Sequence, residues 1–154
     1  MILRRYICQR LKEYYSQPAE DVVGRASLAS INFSSLWGEW HWKRTYERAY
    51  KEQRGRWLTP VEIFKPFYSK AFANFILESV VKSKTFEIVE CGGGRGTNAV
   101  SILDYLHDVH FEAYEALQRY TIIDTSPTLH EMQREALSRH ADKVNLVNAD
   151  LLDM

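Results

Sequence analysis

The sequence predicts an α/β fold: three parallel strands with flanking helices, preceded by a helical N-terminal region. Two observations predict it. From residue 85 onward, short β-rich apolar runs alternate with stretches of helical periodicity, the alternation that gives a parallel sheet with helices on its faces. A glycine-rich turn, Gly92-Gly93-Gly94-Arg95-Gly96, joins the first run to the first of those helices. The charge also changes sign along the chain, with 11 basic and 6 acidic residues over 1–56 and 9 basic and 14 acidic over 57–154. Two regions follow: 1–57, a basic and aromatic helical extension, and 58–154, an α/β region. The charge asymmetry has two readings, halves with different tasks or two solvated surfaces of opposite sign.

The bulk properties bound the function. The chain has 154 residues, 45% hydrophobic and 26% charged, with 7 Gly and 4 Pro. That is the composition of a globular domain, not of a disordered or collagen-like chain. Folding at this length buries roughly 70% of the unfolded surface, enough for a real core. Lys plus Arg and Asp plus Glu both number 20, and a zero balance argues against a dedicated nucleic-acid binder. No run approaches the roughly 20 apolar residues of a membrane span. Cys8 and Cys91 cannot form a disulfide framework, so a reduced compartment is the default. His41, His107, His110, His130 and His140 fall in no metal-ligand spacing, and no metal site is expected.

Taken in order, residues 1–35 begin with three arginines and no acid before Glu13. Two readings stand: a mitochondrial presequence and an ordinary helix over residues 2–15. Residues 36–57 interleave basic residues with Trp37, Trp40, Trp42, Tyr46, Tyr50 and Trp57. Such interleaving can bind single-stranded nucleic acid, but Glu39, Glu47 and Glu52 dilute the positive field. The rings are expected to pack over a core or line a pocket mouth. Thr59-Pro60-Val61-Glu62 signals a helix start, with Thr59 as cap, Pro60 at the first position and Glu62 completing a capping box. Pro66 breaks that turn, and a helix from about 67 to 81 follows, with Tyr68, Ala71, Phe72, Phe75, Ile76 and Val80 as its apolar stripe.

Phe86 to Cys91 reads as the first strand. Thr97 to about His107 is a helix with Ala99, Ile102, Leu103 and Leu106 inward. Tyr120 to Asp124 is the second strand. Ser126 caps a helix that has Pro127 at its first position and runs to about His140, with Leu129, Met132, Ala136 and Leu137 inward. Val144 to Val147 is the third strand. The chain contains no internal repeat.

The chemistry concentrates in Glu90-Cys91-Gly92-Gly93-Gly94-Arg95-Gly96-Thr97. Glycines between a strand and a helix let the backbone turn sharply and let a ligand approach closely. The helix adds free N–H groups and a partial positive charge. A dinucleotide fingerprint needs G-x-G-x-x-G, and its third glycine falls on Thr97. A P-loop needs a Gly-Lys pair, which is absent. The pattern is acid-x-G-x-G-x-G, on Glu90, Gly92, Gly94 and Gly96. Asp124 closes the second strand, where a carboxylate can accept both hydroxyls of a ribose; the alternative is an acid interacting with the next helix dipole. Asp150, with Leu151 beside it, follows the third strand. Cys91 is expected to be a small buried hydrophobe, and Arg95 to point to solvent or pair with a nearby acid.

This glycine pattern resembles motif I of the class I S-adenosylmethionine (SAM) methyltransferases. Val89 through Thr97, together with Ser126-Pro127-Thr128-Leu129 and Gln133, resembles the MidA-like family, which includes a mitochondrial complex I assembly factor described as a protein arginine methyltransferase. Thr59-Pro60-Val61-Glu62-Ile63 is similar to an upstream stretch of that family, with one residue inserted. The resemblance covers roughly residues 55–152. It implies a partial Rossmann-like class I methyltransferase sheet and SAM as cofactor, held by Glu90, Gly92, Gly94, Gly96, Thr97, Asp124, Asp150 and Leu151. Glu90 would reach the methionine amino group, Asp150 the adenine amino group, and Leu151 the adenine ring. It also implies a protein substrate, such as a respiratory complex I subunit, and a mitochondrial location. The family fold continues through four further strands that carry substrate-binding and catalytic parts, so the chain reads as a truncated form with no identifiable catalytic residue. One edge of strand 86–91 would then lack a neighbour, inviting aggregation or a partner. A non-catalytic SAM-binding or assembly module is the rival reading; an NAD-dependent oxidoreductase is a further one, disfavoured by Thr97.

Overall fold

The computed structural model describes residues 2–15, 17, 33–52, 59–80 and 84–150. Trp57, Leu151 and the expected boundary at 57/58 lie outside the described residues. The elements, in order, are α1 (Ile2–Tyr15), α2 (Glu39–Glu52), α3 (Pro60–Ile63), α4 (Phe67–Val80), β1 (Phe86–Cys91), α5 (Thr97–Val109), α6 (Phe111–Ala116), β2 (Leu117–Asp124), α7 (Pro127–Ala136) and β3 (Val144–Asn148). Short 3-10 turns cover Phe33–Ser35 and Ser138–His140.

The three strands form one parallel sheet in the order β1-β2-β3. Ile88 pairs with Tyr120 and Cys91 with Ile123, while Tyr120 pairs with Val144 and Asp124 with Asn148. The carboxyl ends of all three strands are thus in lateral register. Ile102, Leu103 and Leu106 of α5, Tyr120 and Ile122 of β2, and Leu137 form the core on one face. The Ala99-Ile102-Leu103-Leu106 stripe is buried as its spacing predicts. Ser126 caps α7 by accepting from Leu129 N at 3.3 Å, with Pro127 at the first helical position.

Several expectations are corrected. The stretch before β2 holds an additional helix, α6, and β2 starts at Leu117, earlier than Tyr120. α7 ends at Ala136, and its buried residues are Leu129, His130 and Gln133, whereas Ala136 is exposed. On α4 the buried residues are Ser69 and Ala73, while Ala71, Phe72 and Phe75 are exposed. α4 and α5 meet along small groups, with Ser69 Oγ donating to Asn98 Oδ1 at 2.9 Å, so the bulky aromatics turn aside. Cys91 is exposed, because Glu87, Val89 and Cys91 share the face of β1 that no described element covers. Arg95 is buried at 8% exposure, which removes the solvent-facing alternative and leaves the other, pairing with an acid, uncontradicted.

The aromatic segment divides. Trp42 stacks on Phe64 at 5.8 Å between ring centres and lies 5.6 Å from Tyr46, whereas Trp37 and Trp40 are 91% and 70% exposed. Trp42 and Tyr46 are half-buried through these ring contacts, but neither belongs to the core cluster or to the lining of the cavity beside the glycine loop, and Trp37 and Trp40 stand in solvent. No helix among the described residues is long and apolar enough to cross a membrane.

Candidate functional site

The site begins where β1 ends. Gly92 N donates to Ile123 O at 2.8 Å, extending the β1–β2 ladder by one bond, and Gly96 N returns to Gly93 O at 2.9 Å. The turn opens at Gly92 with φ +72° and closes at Gly96 with φ +83°, values that side chains other than glycine adopt only under strain. Gly93 is constrained differently: a Cβ there would lie 2.6 Å from Ile122 Cγ2. From the far side, the buried Gln133 of α7 donates through Nε2 to Gly94 O at 2.8 Å. The loop is therefore clamped between the sheet and α7. Gly93 and Gln133 were not among the residues that sequence reasoning assigned to the site, although Gln133 stands in the Ser-Pro-x-Leu-x-x-x-Gln pattern.

Beside the loop lies a cavity of about 570 Å³, lined by Glu62, Tyr68, Phe72, Glu90, Gly92 and Thr97 among others. Glu90 is fixed in its wall. Its Oε1 accepts from Asn98 Nδ2 at 2.9 Å, and its Oε2 accepts from Tyr120 OH at 3.0 Å. The Tyr120 phenol is pushed far above the ordinary tyrosine range, first by burial and then by the Glu90 charge and the hydrogen bond to it. It therefore stays protonated as a donor. Tyr120→Phe should destabilise the fold by about 1–3 kcal/mol at neutral pH. A pKa raised in the folded state stabilises below the unfolded value, near 10, and that contribution fades as pH rises above it. Thermal melts of wild type and Tyr120→Phe should therefore converge above about pH 10; a gap independent of pH would contradict this linkage.

Glu62 is the second carboxylate of the wall. It does not complete the expected capping box. Thr59 makes no side-chain cap bond, although the backbone turn forms with Pro60 at the start. The Glu62 side chain instead accepts a hydrogen bond from the hydroxyl of Thr97 through Oε1, and its Oε2 lies 3.4 Å from Lys65 Nζ. Thr97 and Asn98, consecutive in the first turn of α5, thus hold Glu62 and Glu90 respectively.

The predicted residues fall into two groups. Glu90, Gly92, Gly94 and Thr97 line the cavity. Gly96 does not; it lies beneath the loop, where a Cβ would meet Gln133 Cα at 3.4 Å, and so serves the approach of α5 to α7. Asp124 is the last residue of β2 and Asp150 follows the end of β3, both outside that wall. Asp124 is 8% exposed, and its Oδ1 accepts from Ser126 N at 3.0 Å, the local contact to the following helix start that sequence reasoning held open. That bond leaves Oδ2 without a hydrogen bond among the described residues. Its backbone carbonyl receives Ala149 N at 3.2 Å, which ties the segment before Asp150 to β2. Among the described residues no group of three His, Cys, Asp or Glu side chains is placed to hold a metal ion.

Comparison with known proteins bears on this arrangement. Residues 70–151, more than half of the chain, match the profile of a family described as "putative S-adenosyl-L-methionine-dependent methyltransferase". A crystal structure from Burkholderia thailandensis, named a superfamily member and "likely methyl transferase" bound to S-adenosyl-homocysteine, is similar at 26% identity and a TM-score of 0.53, covering 64% of this chain and 25% of that one. A native crystal structure of a protein of the same superfamily and organism is 27% identical with a TM-score of 0.42, covering 55% of this chain and 23% of that one. The chain spans about a quarter of the length of these solved relatives. No curated protein matches it.

Proposed function

The chain belongs to the family described as S-adenosyl-L-methionine-dependent methyltransferases, and from that premise we propose that it binds SAM across the carboxyl ends of its three strands and serves methyl transfer. The observation that carries this reading is the register of the strand ends. It sets the glycine loop after β1 beside Asp124 at the end of β2 and brings Asp150 past the end of β3. In open parallel sheets a nucleoside ligand sits in that crevice. Strands lie roughly 4.8 Å apart, so the three ends span a nucleoside with its attached chain.

The residues fit the group. The glycine turn leaves backbone exposed at the cavity, and among the described residues Asp124 keeps one carboxylate oxygen uncommitted for the ribose hydroxyls. Asp150 would take the adenine amino group. Leu151, whose place against the ring comes from the resemblance, lies outside the described residues. Glu90, held rigid by Tyr120 and Asn98, faces the amino-acid end. The bound cofactor supplies a sulfonium methyl, and the protein's part is to hold that methyl in line with an incoming nucleophile. Thr97 supports SAM over NAD: the third glycine of a dinucleotide loop is replaced by a side chain already committed to Glu62.

The finer reading is a protein nitrogen as acceptor, arginine by resemblance, in a mitochondrial setting linked to complex I assembly. Incubation with methyl-labelled SAM and a mitochondrial extract should label protein, with acid hydrolysis returning methylarginine. Cofactor binding with no label transferred would instead assign the chain as a binding or assembly module.

A further inference from the structure

We propose that Glu62 supplies the counter-charge for the ammonium group at the amino-acid end of the cofactor, with Glu90 as its rigid neighbour. The assignment rests on SAM occupying the glycine loop. Glu62 is 3% exposed, and a carboxylate removed from water is costly unless it is paired with a cation and hydrogen-bonded. Among the described residues its side chain has one hydroxyl, from Thr97, and one ammonium at 3.4 Å, from Lys65. That second contact is longer than the roughly 2.7–2.9 Å of a charge-assisted bond.

The position of Glu62 is informative in its own right. Three residues past a Thr helix cap, its side chain could return to the local backbone. It reaches instead to the first residue of α5, 35 positions away, at the edge of the cavity. Glu90 arrives at the same wall from β1 and is held by the next residue, Asn98. Glu90 accepts two hydrogen bonds at 2.9 and 3.0 Å, whereas Oε2 of Glu62 has only the 3.4 Å contact to Lys65 among the described residues, so Glu62 is the more loosely held of the two. A primary ammonium carries three donors and one positive charge, which suits two carboxylates on one cavity wall beside a loop of open backbone. The cofactor's amino-acid end would then lie toward α3 and its nucleoside toward β2 and β3, the order in which the strand ends run.

Titration calorimetry tests this on the full chain. The ligands are S-adenosyl-homocysteine, its analogue lacking the amino group, and methylthioadenosine, which lacks the whole amino-acid end. Glu62→Gln keeps an oxygen for Thr97 but removes the charge. It should weaken S-adenosyl-homocysteine roughly 10- to 100-fold and leave methylthioadenosine within about twofold. In wild type the deaminated analogue should bind about as weakly as S-adenosyl-homocysteine binds Glu62→Gln, and in the variant the missing amino group should cost little more. Unchanged S-adenosyl-homocysteine affinity in Glu62→Gln would overturn the assignment. So would equal losses for all three ligands, which would mark Glu62 as structural. If wild type bound S-adenosyl-homocysteine normally but was indifferent to its amino group, Glu62 would be wrong and the cofactor reading right. If wild type bound none of the three, both would fall together.

Discussion

Gly93→Val should destabilise the protein by about 3 kcal/mol or more and abolish cofactor binding with it. The added Cβ would sit 2.6 Å from Ile122 Cγ2, and Ile122 is fully buried in the core beside Leu137 and Tyr120. A β-branched methyl fixed in a packed core has no room to withdraw. Overpacking of this kind costs about 1–3 kcal/mol for modest additions, and valine adds two further methyls where one already collides. The melting temperature should fall by roughly 5–10 °C. Gly93→Ala should fall by less and in the same sense. A Gly93→Val protein that melts like wild type would show that the loop does not lie against β2 as described.

Asp124→Ala should leave the fold nearly intact and weaken SAM about 100-fold or more, read by calorimetry. Each hydrogen bond from a ribose hydroxyl to a carboxylate is worth roughly 1.5–3 kcal/mol, and two are at stake. Asp124 also accepts from Ser126 N, so the variant loses one local contact. Ser126 retains its own capping bond to Leu129 N, which keeps the start of α7. Asp124→Asn separates the two effects: it preserves an acceptor for Ser126 while removing the charge. An unchanged dissociation constant in both variants would remove Asp124 from the site.

What the sequence displays best is what local chemistry decides. Ser126-Pro127 sets the start of α7, and the four-residue stripe of α5 finds the core, because capping and helical periodicity act within a few residues. The strand ends at Cys91 and Asp124 were legible for the same reason. Elsewhere long-range contacts prevail. Glu62 looks like half of a capping box until Thr97, far along the chain, claims its side chain. Ala73 and Ser69 outrank Phe72 and Phe75 for burial because α4 and α5 approach along small residues, which an apolar count cannot foresee. Gly93 occupies an unspecified place in the acid-x-G-x-G-x-G pattern, yet it is the loop position where a side chain collides with Ile122. Cys91 is exposed where burial was expected, and Arg95 is buried, which removes the solvent-facing one of its two expected placements; burial there depends on which face of β1 is covered and on how the loop folds back.

The central claim is that the turn after β1 and the ends of β2 and β3 form one nucleoside site. Two-dimensional NMR of the nitrogen-15-labelled chain, titrated with S-adenosyl-homocysteine, tests it most directly. Saturable shifts should concentrate on the amides of Gly92, Gly93, Gly94, Thr97, Asp124 and Asp150, with α1 and α2 unmoved and NAD producing no comparable change. Shifts confined to other parts of the chain, or a spectrum indifferent to the nucleoside, would contradict it.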